Sequence, residues 1–236
     1  HEGTQTGLAQ RVMEQVVGKN TRVLELSGTP FNIIDQYDED QVFVWDYTME
    51  QRAKRTWKFT HPEEKNPYAG LPAVQMYTFE MSRQFKDARF LSYDKKVFNF
   101  KEFFRVNENG EFVYEDYVRQ FLRNITSPND KNNYPFATKE FRNNLRHTLW
   151  ILPGIKEANA LERLLNEDPV FGMDYIVVNV VRNGDNESGL ATDDEMKMVR
   201  DAIGPHPENT RTITLTVRKM TTGVTVKEWT GVLFLS

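Results

Sequence analysis

Three segments carry the residue types that handle phosphate. The first is LELSGTPF (Leu24–Phe31). Its apolar residues Val23, Leu24 and Leu26 read as a short buried strand, broken by Ser27-Gly28-Thr29-Pro30. That places the hydroxyls of Ser27 and Thr29 at the carboxyl end of a strand, where open α/β sheets bind ligands. The second, Thr212–Ser236, runs a strand into Arg218, Lys219, Thr221, Thr222 and Gly223 before another strand begins. Cations, hydroxyls and a glycine that permits close backbone approach suit a phosphate contact. The third, RHTLWILPGIKEANALERLL (Arg146–Leu165), passes from a strand through Pro153-Gly154 into a helix start, whose free N–H groups attract anions. Each segment also has an ordinary reading: a strand with its turn, a solvated loop, a plain βα unit.

Two further groups have a chemical reading and a plain one. Glu63-Glu64-Lys65 has the Glu-x-Lys spacing of half a metal-nuclease motif, with Asp46 upstream. Two carboxylates and a lysine suffice to hold Mg²⁺ and activate water. Pro62 and Pro67 flank the run and point instead to an exposed linker. The Phe-rich stretch Phe85–Phe104 carries rings able to stack on bases. Core packing is the commoner use of phenylalanine.

Other chemistries are excluded. There is no G-x-x-x-x-G-K-[ST] phosphate loop, no G-x-G-x-x-G, no H-E-x-x-H and no G-x-S-x-G elbow. With no cysteine, thiolate metal sites, disulfides and Cys nucleophiles are ruled out. The histidines are His1, His61, His147 and His206, scattered along the chain. Thirty Lys+Arg against 34 Asp+Glu give a net charge of −4, which excludes coating of a polyanion by overall charge but leaves a local basic strip open. At 236 residues and 12% aromatics, the chain is long enough and apolar enough to build a core. Its apolar runs fall well short of the ~20 residues of a membrane span. The start, HEGTQTG, has no signal-peptide pattern and no initiating Met, which reads as a piece of something longer in a reducing, cytoplasmic compartment.

The elements that must position these groups follow from periodicity. A helix is expected over Thr6–Val17, strands over Gln41–Trp45 and Leu71–Phe79, a basic helix over Tyr47–Trp57 and a linker over Thr60–Gly70. Phe112–Ile125 places its apolar residues on one helical face. From Thr138 onward the pattern is regular: a basic helix, the strand Thr148–Leu152, a helix over Lys156–Asn166, and the β-branched strand Asp174–Val181. A helix over Thr192–Ile203 follows, opened by the capping-box pair Thr192 and Glu195, and then strands Arg211–Val217 and Gly231–Leu235. Alternating strands and helices indicate an α/β fold with a parallel sheet covered on both faces.

In this order the segments resemble superfamily-2 helicases and translocases. SGTPF looks like the motif that ends the first RecA-like domain, HTLWILPG like the strand that opens the fourth motif region, and TTGVTV like the fifth motif. His1 then looks like the end of an Asp-Glu-x-His motif. Gln51-Arg52-Ala53-Lys54, NPYAGLP and FNFKEFF make the resemblance closest to ATP-driven motor subunits of type III and related restriction enzymes. The resemblance implies a RecA-like parallel sheet. It divides the chain into the end of a first lobe (1–35), a connecting strand, helix and linker (36–65), and a second lobe (66–236) with an aromatic-rich insertion around 80–137. It implies ATP and Mg²⁺ in the intact protein, none tightly bound to this fragment. It makes DNA a partner through backbone contacts with little sequence preference, and it suggests a methylation or specificity subunit of a restriction system. His1, Ser27 and Thr29 become residues of the ATP site and its coupling to DNA. Arg218, Lys219, Thr221, Thr222, Gly223, Pro153 and Gly154 become DNA contacts.

Two departures stand out. Thr225 lies where the fifth motif usually has Asp, and the arginine-rich sixth motif is absent. With the phosphate loop and catalytic Asp-Glu also missing, the fragment is expected to be inactive as an ATPase alone. Two readings of other classes stay open: a non-catalytic nucleic-acid-binding or assembly module with a RecA-like fold, and an unrelated α/β enzyme with a small-molecule site at its strand ends.

Overall fold

A computed structural model describes residues 12–28, 34–79, 81, 85, 87–91, 97–128, 134–184 and 191–236. The chain divides into two compact units, His1–Phe79 and Glu80–Ser236.

In the first unit, residues 12–16 are helical, within the expected Thr6–Val17. The basic helix α1 (Tyr47–Thr60) forms as expected, capped by Asp46, whose carboxylate accepts from the Met49 N–H at 2.7 Å. The expected linker folds back on α1. Asn66 Nδ2 donates to the Lys54 carbonyl at 2.8 Å, and Tyr68 packs near Trp45 and Trp57. The three expected strands do not form: Val23–Leu26, residues 42–45 and residues 71–79 belong to no strand, and Leu24 and Leu26 are exposed. A strand is stable only when a neighbouring strand takes up its N–H and C=O groups, and among the described residues these segments pair with no strand.

The second unit is built on a four-stranded, all-parallel sheet: β1 (His147–Ile151), β2 (Ile176–Asn179), β3 (Thr212–Thr216) and β4 (Gly231–Phe234), in the order β2-β3-β1-β4. The two central strands, HTLWI and TITLT, are buried at every position, as unbroken apolar and β-branched runs require. Register pairs His147 with Thr212 and Ile151 with Thr216. The His147 ring locks the start of this pair, with Nδ1 3.0 Å from Thr212 Oγ1 and Nε2 2.9 Å from the Pro207 carbonyl.

Among the described residues, the longer helices of this unit are α2 (Glu115–Thr126), α3 (Lys139–Asn144), α4 (Ile155–Glu167) and α5 (Asp193–Ile203). Helices α4 and α5 both pack on β2 and β3. On α2 the expected apolar face is buried through Val118, Phe121, Leu122 and Ile125, and α4 buries Ala158, Leu161, Leu164 and Leu165. Thr192 and Glu195 form the predicted capping box at the start of α5.

The Phe-rich stretch is core. Phe85, Phe90, Phe103 and Phe104 are buried in a network of tilted and edge-on rings, and a second ring group, Phe136, Trp150 and Phe171, shares the same core at the sheet.

Candidate functional site

Parallel pairing sends β1 and β3 out of the sheet side by side, so Pro153-Gly154 and Arg218–Gly223 emerge at the same carboxyl edge.

The loop after β3 is held from within. The Thr216 hydroxyl donates to the Lys219 carbonyl at 2.5 Å, and the Thr221 hydroxyl donates to the Arg218 carbonyl at 2.6 Å. Met220, a buried residue, sits at φ 63°, in the left-handed region that non-glycine residues seldom adopt. Gly223 follows at φ 72°. Surrounding packing has to over-determine such a backbone, and such positions cluster at functional sites. Arg218, Thr221, Thr222 and Gly223 are exposed on this scaffold.

Lys219 departs from its expected role. It is buried, and its ammonium lies 2.6 Å from Glu195 Oε1 and 2.8 Å from the Gly184 carbonyl. Burial pushes the Glu195 carboxyl up, but hydrogen bonds from Lys219 and from the Thr192 N–H outweigh it, and the group titrates below the ordinary glutamate range. The lysine therefore ties the β3 loop to the start of α5 and to the loop after β2. A phosphate contact would require breaking that pair.

Gly154 departs too. Glu157 folds its carboxylate over the start of α4, so close that a Cβ on Gly154 would lie 2.3 Å from Glu157 Oε2. The helix start thus already faces a carboxylate of its own, which disfavours an incoming anion. Pro153 and Gly154 shape the turn and are half-buried.

Ser27 lies exposed in the first unit. His1 and Thr29 lie outside the described residues. Asp46 is spent on capping α1, Glu63 and Glu64 are exposed, and among the described residues no group of His, Asp or Glu converges as a metal site.

A polar cluster beside the same edge escaped the sequence reading. Asn179, at the end of β2, donates through Nδ2 to Asn159 Oδ1 at 2.8 Å and to Glu162 Oε2 at 3.0 Å, while Arg182 pairs with Glu162. Asn159, Glu162 and Arg182 line a cleft of about 430 Å³ with Lys156, Arg163 and the turn Asn107–Gly110. The only signal was one asparagine inside the otherwise apolar run DYIVVNVV.

The residues present do not make an ATP–Mg²⁺ site by themselves. The phosphate loop is missing from the sequence, the lysine nearest the edge is committed to Glu195, and no acidic cluster is formed among the described residues. Among the described residues, no helix is long and apolar enough to cross a membrane.

No protein-family model matches the chain, and no solved structure matches it. It is similar to a Mycoplasma pneumoniae protein whose name reads as the C-terminus of a putative type II restriction enzyme and methyltransferase, at 27% identity over 230 residues, covering 89% of this chain. The chain spans about a third of that relative's length, 31%.

Proposed function

We propose that this chain is a DNA-engaging part of a restriction–modification enzyme, specifically the segment of an ATP-driven motor that holds the DNA backbone. The observation that carries the reading is the β3 loop. Arg218, Thr221, Thr222 and Gly223 are exposed at the carboxyl edge on a backbone fixed by Met220 and by the Lys219–Glu195 pair. The Thr222 hydroxyl, a guanidinium and a glycine N–H on a rigid loop are donors of the kind that phosphate oxygens accept, and the Thr221 hydroxyl is spent inside the loop on the Arg218 carbonyl. Similarity to a restriction-enzyme relative along most of the chain supports DNA as the polyanion. ATP and Mg²⁺ belong to this proposal only for the intact motor, and a methylation or specificity subunit is the partner it would imply.

Backbone contacts carry no base information, so binding should be indifferent to sequence and should weaken with salt by a log–log slope of about 0.9 per phosphate neutralised. The test is fluorescence anisotropy of the purified chain on duplexes of unrelated sequence. Equal, salt-sensitive affinities and a loss of about tenfold in Thr222→Glu are expected. No binding at low salt, or strong preference for one sequence, overturns the reading. ATP turnover by the purified chain would overturn the expectation that this fragment is inactive as an ATPase by itself.

A further inference from the structure

Helix α1 has one occupied side and one bare side. On the occupied side Trp57 stacks on His61 with ring centroids 3.9 Å apart and meets Tyr68 edge-on at 5.6 Å. Lys54 Nζ donates to the Leu71 carbonyl, and Gln51 donates to the Pro72 carbonyl at 3.1 Å. The helix is therefore braced by the chain's own following segment.

The bare side carries Arg52, Arg55, Lys58 and Phe59, all exposed, Phe59 at 84%. At about 100° per residue, Arg52, Phe59 and Arg55 share an arc of roughly 60°, and Lys58 lies about 60° further on, past Gln51, at the border with the occupied side. Among the described residues, no carboxylate forms an ion pair with these three cations. The only acid within the helix is Glu50, so a chain of net charge −4 concentrates cations here. Single exposed apolar residues are ordinary; this ring differs in being framed by guanidinium groups. The cations run along about 9 Å of helix, a ribbon that fits a polyanion's backbone better than a lone anion. A membrane surface fits less well, because a helix lying on lipid needs a free apolar face, and the Trp57 side is already covered.

We infer that this face of α1 binds single-stranded DNA, with Arg52, Arg55 and Lys58 on phosphates and Phe59 stacked on a base. The inference rests on the DNA-engaging reading and adds to it a surface in the first unit, separate from the sheet edge.

The test uses the full chain, a labelled oligothymidine strand and a duplex of the same length. Alanine is the best helix former, so Arg52→Ala/Arg55→Ala and Phe59→Ala should keep α1 intact, which circular dichroism checks. The double variant is expected to bind the single strand about tenfold or more weakly, with the salt slope reduced by about 1.4 for two phosphates. Phe59→Ala is expected to lose at least about fivefold on the single strand and little on the duplex. If the unaltered chain binds DNA and both variants match it, this inference falls and the DNA-engaging reading stands. If the unaltered chain binds neither strand nor duplex, both fall. Binding to phosphatidylserine vesicles in preference to oligothymidine also overturns the inference.

Discussion

Replacing Lys219 separates two roles that the residue type alone cannot distinguish. As a phosphate ligand, its loss would weaken DNA binding and leave the fold untouched. As the partner of Glu195, its loss strands a carboxylate whose side chain is 15% exposed, and it deprives the Gly184 carbonyl of its donor. Removing one member of a buried ion pair costs about 3–5 kcal/mol. Glu195 keeps some exposure and the Thr192 N–H at 2.8 Å, which lowers the expected cost of Lys219→Met to about 2–3 kcal/mol. With a urea slope of about 2–3 kcal/mol per molar, the unfolding midpoint should fall by about 1 M. Lys219→Met combined with Glu195→Gln should recover much of the loss, because glutamine keeps the capping-box contact and carries no charge. The pH dependence has a definite sign. The folded Glu195 titrates below its ordinary value of 4.5, so the pair stabilises the fold above that value and its contribution is lost as the pH falls through the folded one. The unaltered chain should therefore lose more stability in acid than Lys219→Met. A midpoint unchanged in Lys219→Met, with DNA affinity down about tenfold, would refute the structural assignment.

Two further substitutions probe the body that carries the edge. Phe103→Ala removes a ring that is fully buried among Phe85, Phe90 and Phe104, so a loss of about 3–5 kcal/mol in urea unfolding is expected; a loss below about 1 kcal/mol would show that the aromatic cluster is not part of the core. Gly172→Ala would set a Cβ 2.3 Å from the Asn166 carbonyl oxygen, a backbone atom that cannot swing away, so about 1–3 kcal/mol should be lost in thermal unfolding.

The second unit was largely legible because its signals are local. HTLWI, DYIVVNVV and RTITLTV are apolar or β-branched runs that only a covered parallel sheet accommodates, and Thr192 with Glu195 announces a helix start within four residues. The Phe-rich stretch was readable as core for the same reason. The first unit was less legible. Val23–Leu26 and QVFVW have strand composition, but composition does not reveal whether a neighbouring strand exists to pair with them.

At the edge, sequence placed Thr221 and Thr222 in the loop after β3, where both are exposed and the Thr221 hydroxyl bonds within the loop. The fate of Lys219 was not legible, because its partner lies 24 residues away in sequence and a lysine in a loop after a strand looks the same whether it faces phosphate or a buried glutamate. Gly154 carried a usable sign in Glu157, three residues on, the spacing at which a side chain turns back over its helix start.

The central claim, that the carboxyl edge of the sheet faces DNA, is tested most directly by site-specific photocrosslinking. A benzophenone side chain at position 222 sits in the exposed loop after β3, and one at position 208 sits before β3, at the opposite edge. The account predicts DNA crosslinks from position 222 and none above background from position 208. Crosslinks from position 208 with none from position 222 would contradict it.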